Sequence, residues 1–139
     1  MIASVSGLDH IHAALANGQG VVLLAPHYGN WELLNLFLGE RCALLAMYDP
    51  PRIAGLDALV RRQRARSGSE LVPATAAGVR ALYRALRAGR LVGVLPDQVP
   101  AEGAGVYAPL FDQRALTMTL PQRLVARTGA TSVLGYAAA

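Results

Sequence analysis

Gly20 to Gly39 reads GVVLLAPHYGNWELLNLFLG, and the fold follows from how this stretch is divided. Val21 to Ala25 is a continuous apolar run that stops at Pro26, a residue with no N–H to extend a ladder, so it predicts a buried strand. His27 stands just past the end of that strand. Tyr28-Gly29-Asn30 turns the chain, Asn30 is suited to cap a helix, and Trp31 to Leu38 predicts a largely buried helix closed by Gly39. Glu32 then falls in the first helical turn. An imidazole and a carboxylate thereby arrive at the carboxyl end of a strand, beside a helix N-terminus whose unbonded N–H groups favour negative charge. Open α/β sheets place their sites at such positions.

Working outward, Gly7 to Asn17 predicts a short helix with Asp9 near its start, Ile11, Ala14 and Leu15 inward, and Gly18 after its end. His10 and His12 lie two apart, face different directions on a helix and are poorly placed to share a metal; they read as solvated or helix-end residues. Downstream, Cys42 to Met47 predicts a second strand, and Tyr48-Asp49-Pro50-Pro51 an extended loop, because each proline restricts the residue before it. Ile53 to Ser67 predicts a helix with Leu56, Leu59 and Val60 on one face and Arg61, Arg62, Arg64 and Arg66 toward its end, stopped by Gly68. Those arginines read either as cations favoured at a helix C-terminus or as a phosphate-recognition cluster.

Glu70 to Val72 predicts a short strand, and Ala76 to Ala88 a helix with Val79, Leu82 and Leu86 inward, closed by Gly89. Leu91 to Leu95 is again a continuous apolar run, ended by Pro96, so Asp97 occupies the place after its strand that His27 occupies after the first. Gln98 to Arg114, with Pro100, Gly103, Gly105 and Pro109, reads as a long loop, a length that implies a function; Tyr107, Leu110 and Phe111 would anchor it or line a pocket. Thr117 to Arg127 predicts a helix with Thr119 capping it before Pro121, and Thr131 to Tyr136 a last strand after Gly129. Alternating β and α segments predict an α/β fold: a mixed, largely parallel sheet with helices on both faces. No internal repeat or linker divides residues 1–139, which are expected to form a single core.

The chain has 139 residues, 53% of them hydrophobic and only 16% charged, which argues for a sizeable core and against disorder. Thirteen Lys and Arg against nine Asp and Glu give a net charge of +4 and a pI near 9.8. That suits an anionic partner: phosphorylated lipid, a membrane surface, an acidic carrier protein or nucleic acid. Five Tyr, two Phe and one Trp form no basic-aromatic interleaved face, so stacking on nucleic-acid bases is poorly supported. The single Cys42 excludes an internal disulfide and a multi-cysteine zinc site, and reads as a core thiol in a reducing, cytoplasmic setting. No apolar run approaches the roughly 20 residues a membrane span requires, and the start does not read as a signal peptide. A mean hydropathy of +0.33 in a basic chain nevertheless fits resting on a membrane surface.

The H-x4-E pattern of His27 and Glu32 within APHYGNWE resembles the acyltransferase motif of the lysophospholipid acyltransferase-like superfamily, and in its flanks the lipid A late acyltransferases, the lauroyl or myristoyl transferases of Gram-negative bacteria. The resemblance continues in order through Arg64-Ala65-Arg66-Ser67-Gly68, GVRALYRALRAGRLVGVLPDQVP over Gly78 to Pro100, and GVYAPLF with TMTLPQRLVARTGA over Gly105 to Ala130. It implies a glycerolipid acyltransferase-like fold, with His27 as general base, Glu32 as its orienting carboxylate, Arg64 as a site arginine and Asp97 as a further catalytic residue. Asn30, Arg66 and Gln98 are the implied substrate-binding residues, Arg66 being also the alternative to Arg64. It implies no metal or cofactor: the acyl donor would be an acyl carrier protein thioester, the acceptor a hydroxyl of a lipid A precursor, and the place the cytoplasmic face of the inner membrane, with no nucleic-acid partner. Family members are longer, with a membrane anchor before this region and more chain after it, so a central fragment is expected, as a dimer, a higher homo-oligomer or with a rearranged C-terminal segment.

The chemistry is intelligible from the residues. A hydroxyl attacking a thioester must lose its proton as the C–O bond forms; imidazole can take it, and a carboxylate on the other ring nitrogen fixes the tautomer. No G-x-S-x-G elbow is present, in keeping with direct attack by the acceptor. Two positions depart from the family's pattern: Asp49 follows Tyr48 where an arginine is usual, and Asp112 replaces the glycine usual after Phe111. The rival readings are a metal-dependent phosphoesterase, in which Trp31 stands where a ligand histidine is needed, and a non-catalytic module binding an anionic ligand or nucleic acid.

Overall fold

The structure, a computed structural model, describes residues 4–48 and 68–138. The helix expected over Ile53 to Ser67, with Arg64 and Arg66, lies outside the described residues, as does Asp49. In chain order the elements are α1 (Leu8–Ala16), β1 (Val21–Leu24), α2 (Trp31–Cys42), β2 (Leu45–Tyr48), β3 (Glu70–Pro73), α3 (Ala76–Arg87), β4 (Leu91–Val94), β5 (Gly105–Leu110), β6 (Gln113–Met118), α4 (Leu120–Thr128) and β7 (Thr131–Leu134).

Among the described residues five strands form one sheet in the order β3-β2-β4-β1-β7, and every pairing in it is parallel. The expected α/β fold with a largely parallel sheet is present, the sheet being parallel throughout among the described residues, and the antiparallel pair, β5 with β6, stands apart as a two-stranded ribbon. Parallel strands covered on both faces must be apolar throughout, which is why β1 and β4 read as unbroken hydrophobic runs. Alternate residues go to opposite faces. Val21, Leu23 and Ala25 pack with Ile11 and Ala14 of α1 and Leu38 of α2, while Val22, Val92 and Val94 pack with Leu82 and Leu86 of α3 and Leu124 of α4. Leu23, Leu44, Leu82, Leu91 and Leu124 are fully buried, each such side chain contributing about 1.5–3 kcal/mol through removal from water.

Several expected boundaries move, each for a local reason. α2 does not stop at Gly39 but runs on to Cys42, with Gly39 buried and Ala43 in the left-handed cap conformation at φ 48°. Arg41 holds this last turn, donating to Phe37 O at 3.1 Å and lying 4.0 Å over the Phe37 ring. β2 accordingly begins at Leu45 instead of Cys42. The expected loop over Gln98 to Arg114 holds β5 and the start of β6, and Thr117 and Met118 belong to β6 instead of a helix. Thr119 precedes α4 but makes no side-chain cap bond; its hydroxyl donates to Ala104 O at 3.3 Å and ties the base of the ribbon to the helix start. Tyr107, Leu110 and Phe111, expected to anchor a loop, are exposed.

Candidate active site

The sheet order creates the crevice. From β1 the chain passes β4 to reach β2, and from β4 it passes β1 to reach β7, so the two central strands send their connections in opposite directions. Their helices also separate, α2 packing on one face and α4 on the other. The gap between the carboxyl ends of two such strands is where open α/β sheets bind ligands.

Register brings the side chains together there. Leu24 pairs with Val94, so three residues further along each chain His27 meets Asp97. Ala25 N–H still donates to Val94 O at 2.9 Å, but Pro26 and Pro96 have no N–H and the ladder cannot continue. A side chain completes it: Asp97 Oδ2 accepts the His27 backbone N–H at 2.7 Å, and Asp97 Oδ1 lies 3.0 Å from His27 Nδ1. The carboxylate on Nδ1 is therefore Asp97, which the resemblance implies as a further catalytic residue. Glu32 is exposed in the first turn of α2, in keeping with its expected place at a helix N-terminus.

Burial pushes the Asp97 carboxyl up, but the backbone N–H and ring of His27, together with Asp97's own N–H, outweigh it and hold the group below the usual carboxylate range. An ionised carboxylate only accepts, so the proton between the two side chains sits on Nδ1. In the neutral ring the lone pair is then on Nε2, the nitrogen a general base needs. With the side chain 53% exposed, the imidazole is open to a substrate, and the Asp97 side chain, 40% exposed, is shielded no more than a modest pair requires. Because Asp97 is lowered in the folded state, its contribution to stability is complete above the ordinary value of about 3.9 and is lost as pH falls through the lower native value. Acid unfolding of the wild type should show that slope below about pH 4, and Asp97→Asn should remove it.

The loop carrying His27 is pinned from the other side by the segment after β7. Gly135 N–H donates to Leu24 O at 3.0 Å and Asn30 N–H to Ala137 O at 2.7 Å, while the Tyr28 and Tyr136 rings meet edge to face at 5.1 Å. Gly29 has φ 78°, and a Cβ there would run into the Ala137 carbonyl oxygen. Glycine is required twice over, by conformation and by close approach. Gly29→Ala should cost about 2 kcal/mol or more in chemical denaturation and loosen the His27 loop, whereas an unaltered midpoint would show the Ala137 contact to be dispensable. Nothing in the sequence pointed to Tyr136 and Ala137, because their role depends on β7 lying beside β1.

Asn30 caps α2, its Oδ1 accepting Leu33 N–H at 2.9 Å, so its oxygen already has a structural task. Gln98 is exposed directly after Asp97. Beneath the ribbon, at the same edge of the sheet and on the face of α3 and α4, a cavity of about 250 Å³ is lined mainly by apolar groups of Met47, Val79, Tyr83, Pro100, Met118 and Leu120. Among the described residues no helix is long and apolar enough to cross a membrane, and no three His, Cys, Asp or Glu side chains gather as a metal-binding set.

The family described as bacterial lipid A biosynthesis acyltransferase matches residues 2–137. The lipid A biosynthesis palmitoleoyltransferase of Escherichia coli K12 is 25% identical over 130 residues, 94% of this chain and 42% of that protein. A phosphatidylinositol mannoside acyltransferase of Mycolicibacterium smegmatis is 31% identical over 91% of this chain and 42% of its own length. One of Mycobacterium tuberculosis reaches 51% identity, over only 37 residues, 27% of this chain and 12% of that protein. The chain thus spans less than half the length of these relatives. On a match that runs through the His27 loop, the Asp97 strand end and the ribbon alike, the chain belongs to the bacterial lipid A biosynthesis acyltransferase family.

Proposed function

We propose that this chain carries the acyl-transfer centre of an enzyme that moves a fatty acyl group from an acyl carrier protein thioester to a hydroxyl of a lipid A precursor at the cytoplasmic face of the inner membrane of a Gram-negative bacterium. The observation that supports it most is the His27–Asp97 pair at the strand ends, with the imidazole open and its Nδ1 held by an ionised carboxylate. His27 Nε2 takes the acceptor hydroxyl proton as its oxygen forms the new bond to the thioester carbon. The C–S bond then breaks, and the imidazolium returns the proton to the departing thiolate. Asp97 keeps the ring oriented and stabilises its charged form. The mainly apolar cavity beside this edge is where the acyl chain would lie. Arg64 and Arg66 would meet the anionic groups of donor or acceptor, for which the net charge of +4 is suited.

A second acceptor has support of its own, since one relative named for phosphatidylinositol mannoside acylation is 31% identical over 91% of the chain, against 25% over 94% for one named for lipid A. Both acceptors are anionic glycolipids with a free hydroxyl, and the same His27 chemistry serves either. The deciding experiment incubates the full-length protein with acyl carrier protein thioester and each acceptor in turn, and weighs the lipid product. Acylated lipid A precursor supports the first reading, acylated phosphatidylinositol mannoside the second, and thioester consumption without acylated lipid would overturn both.

A further inference from the structure

The β5–β6 ribbon is an unusual structure to leave in water. Val106, Tyr107, Leu110 and Phe111 are all exposed, as is Val99 on the segment leading into it, and Phe111 at the tip is 93% exposed. The two strands pair from Gly105 with Met118 to Leu110 with Gln113, so Phe111 and Asp112 form a two-residue loop. Both have positive φ, 46° and 64°, as a type I′ loop demands. Asn-Gly is the pair that meets this demand at least cost; an aromatic side chain there is strained and, being exposed, gains nothing from packing in return. A residue that costs stability and stays 93% exposed points outward, to something the ribbon meets.

We propose that the ribbon is a membrane-docking wedge, whose Phe111 tip enters the interfacial region of an anionic bilayer with Leu110, Val106 and Tyr107 following behind it. Its charge pattern suits that occupant. From Gly105 to Phe111 there is no charged residue, and Arg114 on the returning strand places its guanidinium 5.5 Å from the Tyr107 ring centroid. An aromatic body with a cation alongside matches the headgroup layer, where rings sit among the ester groups and a guanidinium meets lipid phosphate. The net charge of +4 draws the chain to such a surface. Position agrees as well. The ribbon leaves the carboxyl edge of the sheet eight residues after Asp97, so docking it would hold the His27 crevice near the bilayer that contains a lipid acceptor. In this respect the inference rests on the acceptor being a lipid, but its test does not use the acyl-transfer reaction.

The test is sedimentation of the 139-residue chain with sucrose-loaded vesicles, 30% phosphatidylglycerol in phosphatidylethanolamine or phosphatidylcholine alone, beside thermal melts of the same proteins. Phe111→Asn should weaken partition onto the anionic vesicles by at least about tenfold, because burial of a Phe side chain is lost. The same substitution should raise Tm, because asparagine relieves the left-handed backbone. A merely structural Phe111 gives the reverse, a lower Tm with unchanged partition. Arg114→Gln should reduce binding to the anionic vesicles about fivefold and leave binding to phosphatidylcholine unaltered. Val5→Ser removes an exposed apolar residue elsewhere and should change nothing. Phe111→Trp should show a fluorescence blue shift on the anionic vesicles above the Trp31 background. The proposal is overturned if Phe111→Asn binds as wild type, if Val5→Ser loses as much as Phe111→Asn, or if the ribbon variants alter only self-association in light scattering. Failure of the vesicle test leaves the acyl-transfer reading standing, and failure of acyl transfer leaves the vesicle result standing.

Discussion

His27→Ala is expected to lower acyl transfer by about 10² to 10⁴-fold while leaving the fold unaltered. The imidazole is 53% exposed and its removal opens no cavity in either core layer, so circular dichroism and the denaturation midpoint should stay close to wild type. On the proposed mechanism the rate loss falls on one step, removal of the acceptor hydroxyl proton by His27 Nε2. Binding of the donor thioester should change little, since the variant loses a proton acceptor and not an anion-binding cation. A variant that turned over at the wild-type rate would end the general-base assignment, and one that unfolded would show the His27–Asp97 contact to be a structural tie instead.

How much of this was legible in the sequence depends on the distance over which each feature is decided. β1 and β4 were readable because parallel strands buried on both faces are continuous apolar runs, and Pro26 and Pro96 mark where each must stop. The equal offsets of His27 and Asp97 from those stops were readable too. That β1 and β4 lie side by side was not, because adjacency in a parallel sheet is fixed by crossovers of dozens of residues and by how α2 and α4 cover opposite faces. Without that adjacency the sequence places Asp97 only at an equivalent strand end, and the orienting role given to Glu32 rests on the resemblance alone. The ribbon escaped detection for a different reason. Its turn is Phe111-Asp112, with none of the Gly or Asn that announces positive φ, while Gly103, Gly105 and Pro109 lie where they suggest irregular chain. Gly39 misled in the opposite sense: an interior helix glycine costs only about 1 kcal/mol, and the helix runs on past it to a last turn that Arg41 bonds to Phe37 O.

The comparison of Asp97→Asn with Glu32→Gln follows from the same geometry and separates the two carboxylates. Asp97 holds two parts of His27 at once, the backbone N–H at 2.7 Å and Nδ1 at 3.0 Å, so an amide in its place keeps the size but not the charge. An asparagine can retain the backbone bond through its oxygen, yet it offers an N–H2 group to the ring or leaves the ring free to choose the wrong tautomer. Imidazolium formed during transfer then lacks its counter-charge. We expect Asp97→Asn to lower kcat by about 10² to 10⁴-fold with KM little altered, the pattern of an interaction made chiefly in the transition state. Glu32→Gln removes a carboxylate from the first turn of α2, where negative charge is favoured by the helix N-terminus, and should cost less in kcat than Asp97→Asn. Steady-state kinetics of the two variants, measured with one thioester donor and one acceptor, decide between them. Should Glu32→Gln prove the more damaging, Glu32 is the carboxylate that the transition state depends on, and Asp97 is chiefly the tie that closes the sheet edge where the two prolines interrupt it.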